Sequence, residues 1–186
     1  MKRTLDLVLS LVATVICFVP ALIVALLVRF SSAGPVLYWS DRVGRRNVLF
    51  RMPKFRTMLV DTPAVATHLL ENPAMYLTPV GAFLRRTSLD ELPQLWSILA
   101  GDMSVVGPRP ALFNQHDLIA ARSAAGVDAL VPGLTGWAQV NGRDELSIAE
   151  KVRLDAEYGQ RQSLLFDVRI IALTGISAMT GRGVSH

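Results

Sequence analysis

Two adjacent carboxylates, Asp90 and Glu91, follow a pair of arginines, Arg85 and Arg86, along the chain. Guanidinium groups bind phosphate oxygens through paired hydrogen bonds, and carboxylates bind Mg²⁺ or attack phosphorus directly. Phosphoryl transfer needs this combination, because positioned positive charge stabilises its transition state. Asp90 and Glu91 are therefore candidate catalytic residues and candidate magnesium ligands, and Arg85 is a candidate phosphate-binding residue.

The same segment predicts a helix over roughly residues 89–100, and two start points remain open. Ser88 and Glu91 have the spacing of a capping box, which would give Glu91 a purely structural role. Pro93 favours a later start near Leu92, because proline is well tolerated at the first helical position. With either start, we expect the two carboxylates at a helix N-terminus, where the helix dipole favours negative charge.

Two further motifs contain candidate ligand-binding residues. Gly107-Pro108-Arg109-Pro110 holds its arginine between two prolines, which lowers the entropy cost of ordering that side chain. A structural turn with an exposed arginine is an equally good interpretation. The stretch 132–143 is rich in glycine, which lets a ligand approach the backbone closely. No P-loop, dinucleotide-binding glycine motif or Asp-x-Asp pair occurs, which argues against the usual nucleotide-binding folds.

Cations are concentrated just after the N-terminal apolar run. This group comprises Arg42, Arg45, Arg46, Arg51, Lys54 and Arg56. Juxtamembrane cations commonly bind anionic lipid headgroups, and we assign Arg42, Arg45 and Arg46 to that role. The chain of 186 residues has 19 basic and 15 acidic residues, a balance that suits a membrane surface, an anionic substrate or nucleic acid. We do not expect nucleic acid as a partner, because no recognised binding motif occurs and few aromatic residues are interleaved with the cations.

An almost wholly apolar run over residues 7–28 is the candidate membrane segment. As a straight helix it would be about 33 Å long, enough to span a bilayer. Lys2 and Arg3 precede the run and Arg29 follows it, whereas a single span prefers its cations on one side. Pro20 removes a helix hydrogen bond and predicts a kink. The residues thus leave two topologies open, a helix that spans the membrane and a bent helix that enters and leaves by the same face.

The rest of the chain predicts a mainly α fold with a small β-hairpin. Residues 36–39 and 48–50 are predicted as short strands on either side of a turn-rich stretch. Residues 60–80 contain three prolines and predict a short helix among loops. Three later helices are expected, which run from Asn114 as N-cap to Gly126, from the capping box of Ser147 and Glu150 to about Tyr158, and over residues 164–179.

Several motifs occur in one order along the chain and together resemble one family. They are Lys2-Arg3-x-x-Asp6, Lys54-Phe55-Arg56-Thr57-Met58, Ser88-Leu89-Asp90-Glu91-Leu92-Pro93-Gln94-Leu95, Gly101-Asp102-Met103-Ser104, Gly107-Pro108-Arg109-Pro110, Pro132-Gly133-Leu134-Thr135-Gly136 and Gln139-Val140-Asn141-Gly142-Arg143. The set is similar to that of the bacterial sugar transferases, or monotopic phosphoglycosyl transferases, in their minimal form. Each motif alone is weak, but the ordered set is specific and extends from residue 2 to about residue 173.

The resemblance implies a re-entrant membrane helix over residues 1–30 and a cytoplasmic, membrane-associated catalytic domain over residues 31–186, with amphipathic interfacial helices around it. It places the protein on the cytoplasmic face of the bacterial inner membrane. In many members the membrane helix bends at a Ser-Pro pair, whereas this chain has Val19-Pro20, so the proline must act alone. Residues 60–79 also depart from common family patterns.

The resemblance also implies a reaction. Asp90 would attack the sugar-proximal phosphate of a UDP-sugar, expel UMP and form an acyl-phosphate, which polyprenol phosphate would then attack. Glu91 would help to hold Mg²⁺ or assist proton transfer. The residues implied in phosphate or nucleotide binding are Arg85, Arg109, Arg143, Lys54, Arg56 and Asn141. The lipid bilayer is a further expected partner, and a homodimer is left open. The alternative function is a catalytically inactive membrane scaffold of the same polysaccharide pathway.

Overall fold

The computed structural model describes residues 1–63, 72–142 and 145–180, the last three of them by backbone only. The described part is mainly helical and contains the predicted hairpin. The helices are α1 (Lys2–Ser31), α2 (Gly81–Thr87), α3 (Gln94–Ala100), α4 (His116–Ala124), α5 (Trp137–Val140), α6 (Ile148–Arg161) and α7 (Leu164–Thr180). The strands are β1 (Leu37–Val43), β2 (Leu49–Phe55), β3 (Ser104–Val106) and β4 (Gly133–Thr135).

Helix α1 confirms the predicted apolar helix and extends it at both ends. Within the described ranges it is the one helix long and apolar enough to cross a membrane. Apolar side chains in its middle, among them Val15, Ile16 and Phe18, are exposed. Pro20 lies inside the helix without ending it. A contiguous exposed apolar surface of this kind is typical of a region that binds a membrane or another protein.

Both ends of α1 pack against the rest of the protein. Near its start, the carboxylate of Asp6 accepts a hydrogen bond from the Ser104 hydroxyl at 2.9 Å, and both residues are buried. Near its end, Val24 is buried in a core cluster with Phe55 of β2 and Leu84 of α2. The globular part therefore holds this helix at its two ends, whereas its middle is exposed.

The first residues of α1 make polar contacts with three other elements. Nζ of Lys2 donates to the carbonyl of Val106 at 3.0 Å and to the carboxylate of Asp167 at 2.7 Å. Nη1 of Arg3 donates to the carbonyl of Ile98 at 2.6 Å. The last carbonyls of a helix have no hydrogen-bond partner within the helix, and Arg3 supplies a donor to one of these carbonyls at the C-terminal end of α3. The start of α1 is thus joined to α3, β3 and α7.

Strands β1 and β2 form the predicted hairpin, and both are longer than predicted. A 3₁₀ turn at Arg45–Asn47 connects them. The antiparallel register sets Tyr38 opposite Lys54, so these two side chains lie on the same face of the hairpin. Side chains alternate between faces along a strand, so Arg42 lies on that face as well.

The parallel pair of β3 and β4 is not indicated by the sequence, because each strand has only three residues. This pair brings the motifs around Gly107 and Gly133 together. A Cβ atom added to Gly133 would lie 2.0 Å from the backbone nitrogen of Gly107, so no side chain fits there. The two glycines let the backbones touch, and the loop that carries Arg109 leaves from this contact.

The predicted N-cap of α4 is wrong by one residue. The helix begins at His116 and its N-cap is Gln115 rather than Asn114. The Gln115 side chain instead accepts a hydrogen bond from the amide of Leu112 and fixes the turn before the helix. The predicted end near Gly126 is confirmed, since this glycine has a φ of 70° just after the helix.

The segment predicted as one helix around the two carboxylates is divided. Ser88 has a left-handed φ of 56° and follows the end of α2, so the predicted capping box of Ser88 with Glu91 is wrong. Leu89–Glu91 form a 3₁₀ turn, and the carboxylates therefore precede α3. Helix α3 starts at Gln94 with Pro93 as its N-cap, which is closer to the alternative start.

The last two predicted helices are confirmed. Ser147 and Glu150 form the expected capping box, and α6 extends three residues beyond the predicted end at Tyr158. Helix α7 occupies the expected apolar stretch. Within residues 60–80, the short helical element is a 3₁₀ turn at Pro73–Tyr76, and residues 64–71 lie outside the described ranges.

Candidate active site

The candidate catalytic residues lie in the 3₁₀ turn Leu89–Glu91, between α2 and α3. Oε1 of Glu91 accepts hydrogen bonds from Nζ of Lys54 at 2.8 Å and from Nη2 of Arg109 at 2.7 Å. Lys54 belongs to β2, and Arg109 belongs to the loop after β3. Three segments that are distant in sequence therefore meet at one carboxylate oxygen.

The environment of Glu91 keeps this side chain ionised. Burial alone would raise the pKa of Glu91, but the charges and hydrogen bonds of Arg109 and Lys54 outweigh burial and hold that pKa well below its ordinary value. Burial also lowers the pKa of Lys54, and Glu91 opposes that shift. Because one oxygen of Glu91 binds two cations, this residue acts as a fixed anchor for positive charge.

Asp90 has a different environment from its neighbour. It is 7% exposed, and no donor within the described residues bonds to its carboxylate. Burial raises the pKa of Asp90, while Lys54 is the strongest opposing influence and Arg85 opposes the rise as well. A buried carboxylate with a raised pKa beside several cations is a candidate functional group.

Arg85 lies in the last turn of α2, just before the two carboxylates. Its Nε donates to the hydroxyl of Thr57 at 3.0 Å. Burial lowers the pKa of Arg85, and the charge of Asp90 opposes that shift. Thr57 and Lys54 belong to one motif, so the same stretch of chain helps to position two cations of the site.

The loop of Arg109 is held by a buried ion pair. Arg122 of α4 donates Nη1 to the backbone carbonyl of Arg109 at 2.8 Å. Nε and Nη2 of Arg122 donate to Oδ2 of Asp155 in α6 at 3.0 and 2.7 Å. Asp155 is 1% exposed, and burial raises its pKa although Arg122 opposes the rise. The backbone of Arg109 is thus fixed by contacts that involve neither Asp90 nor Glu91.

Arg42 is a residue of this region that the sequence interpretation missed. Its Nη1 donates to the carbonyl of Pro110 at 3.2 Å, and its Nε donates to the hydroxyl of Ser40 at 2.9 Å. The pKa of Arg42 is lowered to about 10, first by burial and then by the charge of Arg109, while Glu91 opposes the shift. The predicted strand over residues 36–39 ends before Arg42, and the longer β1 of the structure places this residue on the face of the hairpin that carries Lys54.

The other predicted binding residues are not part of this cluster or are not described. Arg56 donates to three carbonyls of residues 32–35 and fixes the chain after α1, so the structure does not bring it to the carboxylates. Asn141 directly follows α5, and its side chain donates to the carbonyl of Trp137, the first residue of that helix. Arg143 lies outside the described residues.

Basic groups outnumber acidic groups around the two carboxylates. The charged side chains that influence one another here are Arg42, Lys54, Arg85, Arg109, Asp90 and Glu91. A partly buried excess of positive charge attracts anions and is typical of a phosphate-binding site. The arrangement is therefore suited to a ligand that carries about two negative charges and to a reaction at phosphorus.

A metal ion at this site would need ligands from a substrate. In the described ranges, no group of three or more His, Cys, Asp or Glu side chains has metal-binding geometry. Mg²⁺ commonly binds through one or two carboxylates together with substrate phosphates and water. Asp90, with its unbound carboxylate, and the second oxygen of Glu91 fit a site of this kind.

Comparison with known proteins gives a consistent set of relatives. Residues 1–181 match the family model described as bacterial sugar transferase. The chain is 36% identical to the exopolysaccharide production protein ExoY of Sinorhizobium fredii, over 98% of this chain and 87% of that protein.

Two longer relatives match with most of this chain as well. The UDP-glucose:undecaprenyl-phosphate glucose-1-phosphate transferase of Escherichia coli is 40% identical over 94% of this chain and 39% of that protein. The undecaprenyl-phosphate galactose phosphotransferase of Salmonella typhimurium is 35% identical, also over 94% of this chain and 39% of its own length. The chain therefore spans about two fifths of these proteins and most of ExoY.

Proposed function

The chain belongs to the bacterial sugar transferase family, and we propose that it is a phosphoglycosyl transferase that moves a sugar-1-phosphate from a UDP-sugar to polyprenol phosphate. The Escherichia coli relative is named for such a transfer between UDP-glucose and undecaprenyl phosphate. The reaction releases UMP and is the first membrane step of a surface polysaccharide or glycoconjugate pathway.

The observation that carries this proposal is the unequal pair of carboxylates. Glu91 holds Lys54 and Arg109 in place, while Asp90 lies beside these cations with no donor bound to it in the described part of the chain. The diphosphate of a UDP-sugar carries two negative charges, which suits the excess of basic groups. Cations that are positioned before the ligand binds need no rearrangement in the transition state.

In the proposed mechanism, Asp90 is the nucleophile. An oxygen of its carboxylate attacks the sugar-proximal phosphorus, the bond from that phosphorus to the bridging oxygen breaks, and UMP leaves with the electron pair. A phosphate oxygen of polyprenol phosphate then attacks the same phosphorus, and Asp90 leaves as a carboxylate. The arginines and Lys54 bind the non-bridging oxygens, where negative charge is concentrated during both displacements.

We also propose Mg²⁺ as the cofactor. Asp90 and Glu91 would hold the ion together with oxygens of the diphosphate, and the ion would supply positive charge to the transferring phosphate. Oε1 of Glu91 already binds two cations, so its other oxygen is the one available for the metal. This arrangement agrees with a site that is completed only when the donor binds.

We propose that α1 is re-entrant and holds the catalytic part at the cytoplasmic face of the bacterial inner membrane. Arg3 contacts Ile98, whereas Val24 packs with Leu92 in one core cluster. Along a straight helix Arg3 and Val24 would be about 32 Å apart. Leu92 and Pro93 have helical φ and ψ and lead directly into α3, so Leu92 and Ile98 are only about 9 Å apart along that segment. A bend in α1 would bring its two ends to these neighbouring positions.

Pro20 lies just before the second of these contacts and is the residue that favours such a bend. Basic residues lie at both ends of the helix, with Lys2 at its start and Arg29 in its last turn. Cations at both ends suit a segment whose two ends lie on the cytoplasmic side. In this topology Asp90 would lie near the headgroup layer, where the phosphate of the lipid acceptor is found.

The test of the proposed function is UMP release. Purified protein with Mg²⁺ is given a panel of UDP-sugars with and without polyprenol phosphate, and continuous UMP release is expected only with both substrates. Asp90→Asn should abolish turnover, whereas Asp117→Asn, which changes an exposed aspartate of α4, should not. A wild-type protein that releases no UMP with any donor would favour the scaffold alternative, which the intact carboxylate cluster does not support.

A further inference from the structure

The guanidinium of Arg42 lies beside the carboxylate cluster, although its position in the sequence suggests a contact with lipid headgroups. Resting on the proposed function, we propose that Arg42 binds a phosphate group of the diphosphate donor, in one anion site with Arg109. The site then has a cation on the hairpin that faces the cation on the loop after β3.

Backbone contacts hold Arg42 and Arg109 close together. Arg42 forms a β-bridge with Leu112, and the amide of Val43 donates to the carbonyl of Ala111 at 2.9 Å. The segment just after Arg109 therefore pairs with the edge of β1. Lys54 of the paired strand β2 lies on the same face of the hairpin as Arg42, so the fold sets the relative positions of the three cations.

The hydrogen bonds of Arg42 leave its charge without a carboxylate partner. Its Nε and Nη1 donate to the Ser40 hydroxyl and the Pro110 carbonyl, which are neutral groups, and its Nη2 bonds to no acceptor in the described residues. Glu91 is the carboxylate whose charge influences the pKa of Arg42, and Oε1 of Glu91 is already bound by two other cations. Arg42 is therefore oriented by two bonds and still has donor capacity.

A second guanidinium near a partly buried arginine is unfavourable unless an anion lies between the two. Burial and the charge of Arg109 both disfavour the charged form of Arg42, and together they lower its pKa to about 10. A phosphate group would reverse this effect, because it accepts hydrogen bonds from both guanidinium groups. The planar fork of arginine suits this role better than the single ammonium of lysine.

The test measures UDP binding by calorimetry in the presence of Mg²⁺, a readout that needs no turnover. Arg42→Met should weaken UDP binding at least tenfold, and Arg42→Lys should weaken it to a smaller extent because it keeps the charge but loses the fork. Arg46→Met is the matched control, since Arg46 is an exposed cation in the adjacent turn, and it should bind UDP as the wild type does.

Two outcomes separate this inference from the proposed function. If the wild type binds UDP and Arg42→Lys binds it equally well, the inference about Arg42 is wrong while the proposed function stands. If the wild type does not bind UDP, the proposed function fails and the inference fails with it. Circular dichroism checks that each variant is folded. If Arg42→Met is not folded, Arg42→Lys still decides the test.

Discussion

Arg109 donates a hydrogen bond to Oε1 of Glu91 at 2.7 Å, and this same oxygen accepts one from Lys54. One carboxylate thus fixes two cations that belong to different elements of the fold. The adjacent Asp90 makes no hydrogen bond of this kind in the described part of the chain. The two neighbouring carboxylates therefore differ in their environment, and the proposed division into an anchor, Glu91, and a nucleophile, Asp90, depends on this difference.

Substitution of Glu91 tests its role as the anchor. In Glu91→Gln the amide carries no charge, so Lys54 and Arg109 repel each other and no longer converge on one point. We expect kcat/KM for UMP release to fall about 100-fold, the size of effect seen when one preorganised electrostatic contact is lost. Glu145→Gln, at an exposed position, is the control and should retain full activity. Wild-type activity in Glu91→Gln would contradict the anchor role.

The raised pKa of Asp90 predicts a specific dependence of activity on pH. The nucleophile must be ionised, so activity is lost as the pH falls through the pKa of Asp90, and burial places that pKa above the ordinary value. The acidic limb of kcat/KM should therefore lie at a higher pH than an ordinary aspartate would give.

Lys54→Met extends this prediction. Lys54 is the strongest group that opposes the rise in the pKa of Asp90, so its removal should move the acidic limb further upward. Lys151→Met is the control, because Lys151 influences the pKa of Asp155 in α6 rather than that of Asp90. The measurement is kcat/KM for UMP release against pH in the wild type, Lys54→Met and Lys151→Met. An acidic limb in Lys54→Met that is unchanged or shifted to lower pH would show that Lys54 does not hold down the pKa of Asp90.

The ion pair of Arg122 and Asp155 should be important for stability. Asp155→Asn would leave the Arg122 guanidinium buried without a counter-ion, and we expect the free energy of unfolding to fall by about 3–5 kcal/mol. Chemical denaturation in detergent micelles measures the change. Because Arg122 also holds the carbonyl of Arg109, the variant should bind UDP more weakly as well.

A double variant separates the cost of a lone charge from the value of the pair. Arg122→Met combined with Asp155→Leu replaces both charges with apolar groups, and it should be less destabilised than Asp155→Asn alone. UDP binding by the double variant should remain weak, since the bond to the Arg109 carbonyl is still missing. A double variant with wild-type UDP binding would show that Arg122 does not position this loop.

Two buried serines provide a matched test of how α1 is attached. The Ser104 hydroxyl donates to the Asp6 carboxylate, whereas Oγ of Ser97 is buried with no partner among the described residues. Ser104→Ala should lower the free energy of unfolding by about 2 kcal/mol, because a buried carboxylate loses a donor. Ser97→Ala should be neutral or stabilising. Equal effects of the two substitutions would show that the contact with Asp6 contributes little.

Much of the fold is predictable from the sequence because local patterns determine it. The continuous apolar run of α1, the hairpin and the capping box of Ser147 with Glu150 all depend on neighbouring residues. The pairing of Asp90 with Glu91 was likewise visible as a motif. These features involve short-range chemistry, and the structure confirms α1, the hairpin and the capping box, whereas the helix predicted around the two carboxylates is divided.

The remaining features of the fold and of the site depend on long-range contacts, which the spacing of residues in the sequence does not reveal. Ser88 and Glu91 have the spacing of a capping box, but the bonds to Lys54 and Arg109 use the glutamate instead, and the chain turns at Ser88 with a positive φ. Arg42 belongs to a run of cations, and the pairing of β1 with β2 is what places it on the same face as Lys54. Arg56 donates hydrogen bonds to backbone carbonyls just after α1, and no local sequence pattern indicates this contact.

The covalent role of Asp90 is tested most directly by a single turnover without acceptor. Protein is mixed with an excess of UDP-sugar in the absence of polyprenol phosphate, and UMP, the mass of the intact chain and the masses of its proteolytic peptides are measured. We expect about one equivalent of UMP and a mass increase of one sugar phosphate on the peptide that contains Asp90, with neither in Asp90→Asn. UMP release that requires the lipid acceptor, with no modified peptide under any condition, would contradict it.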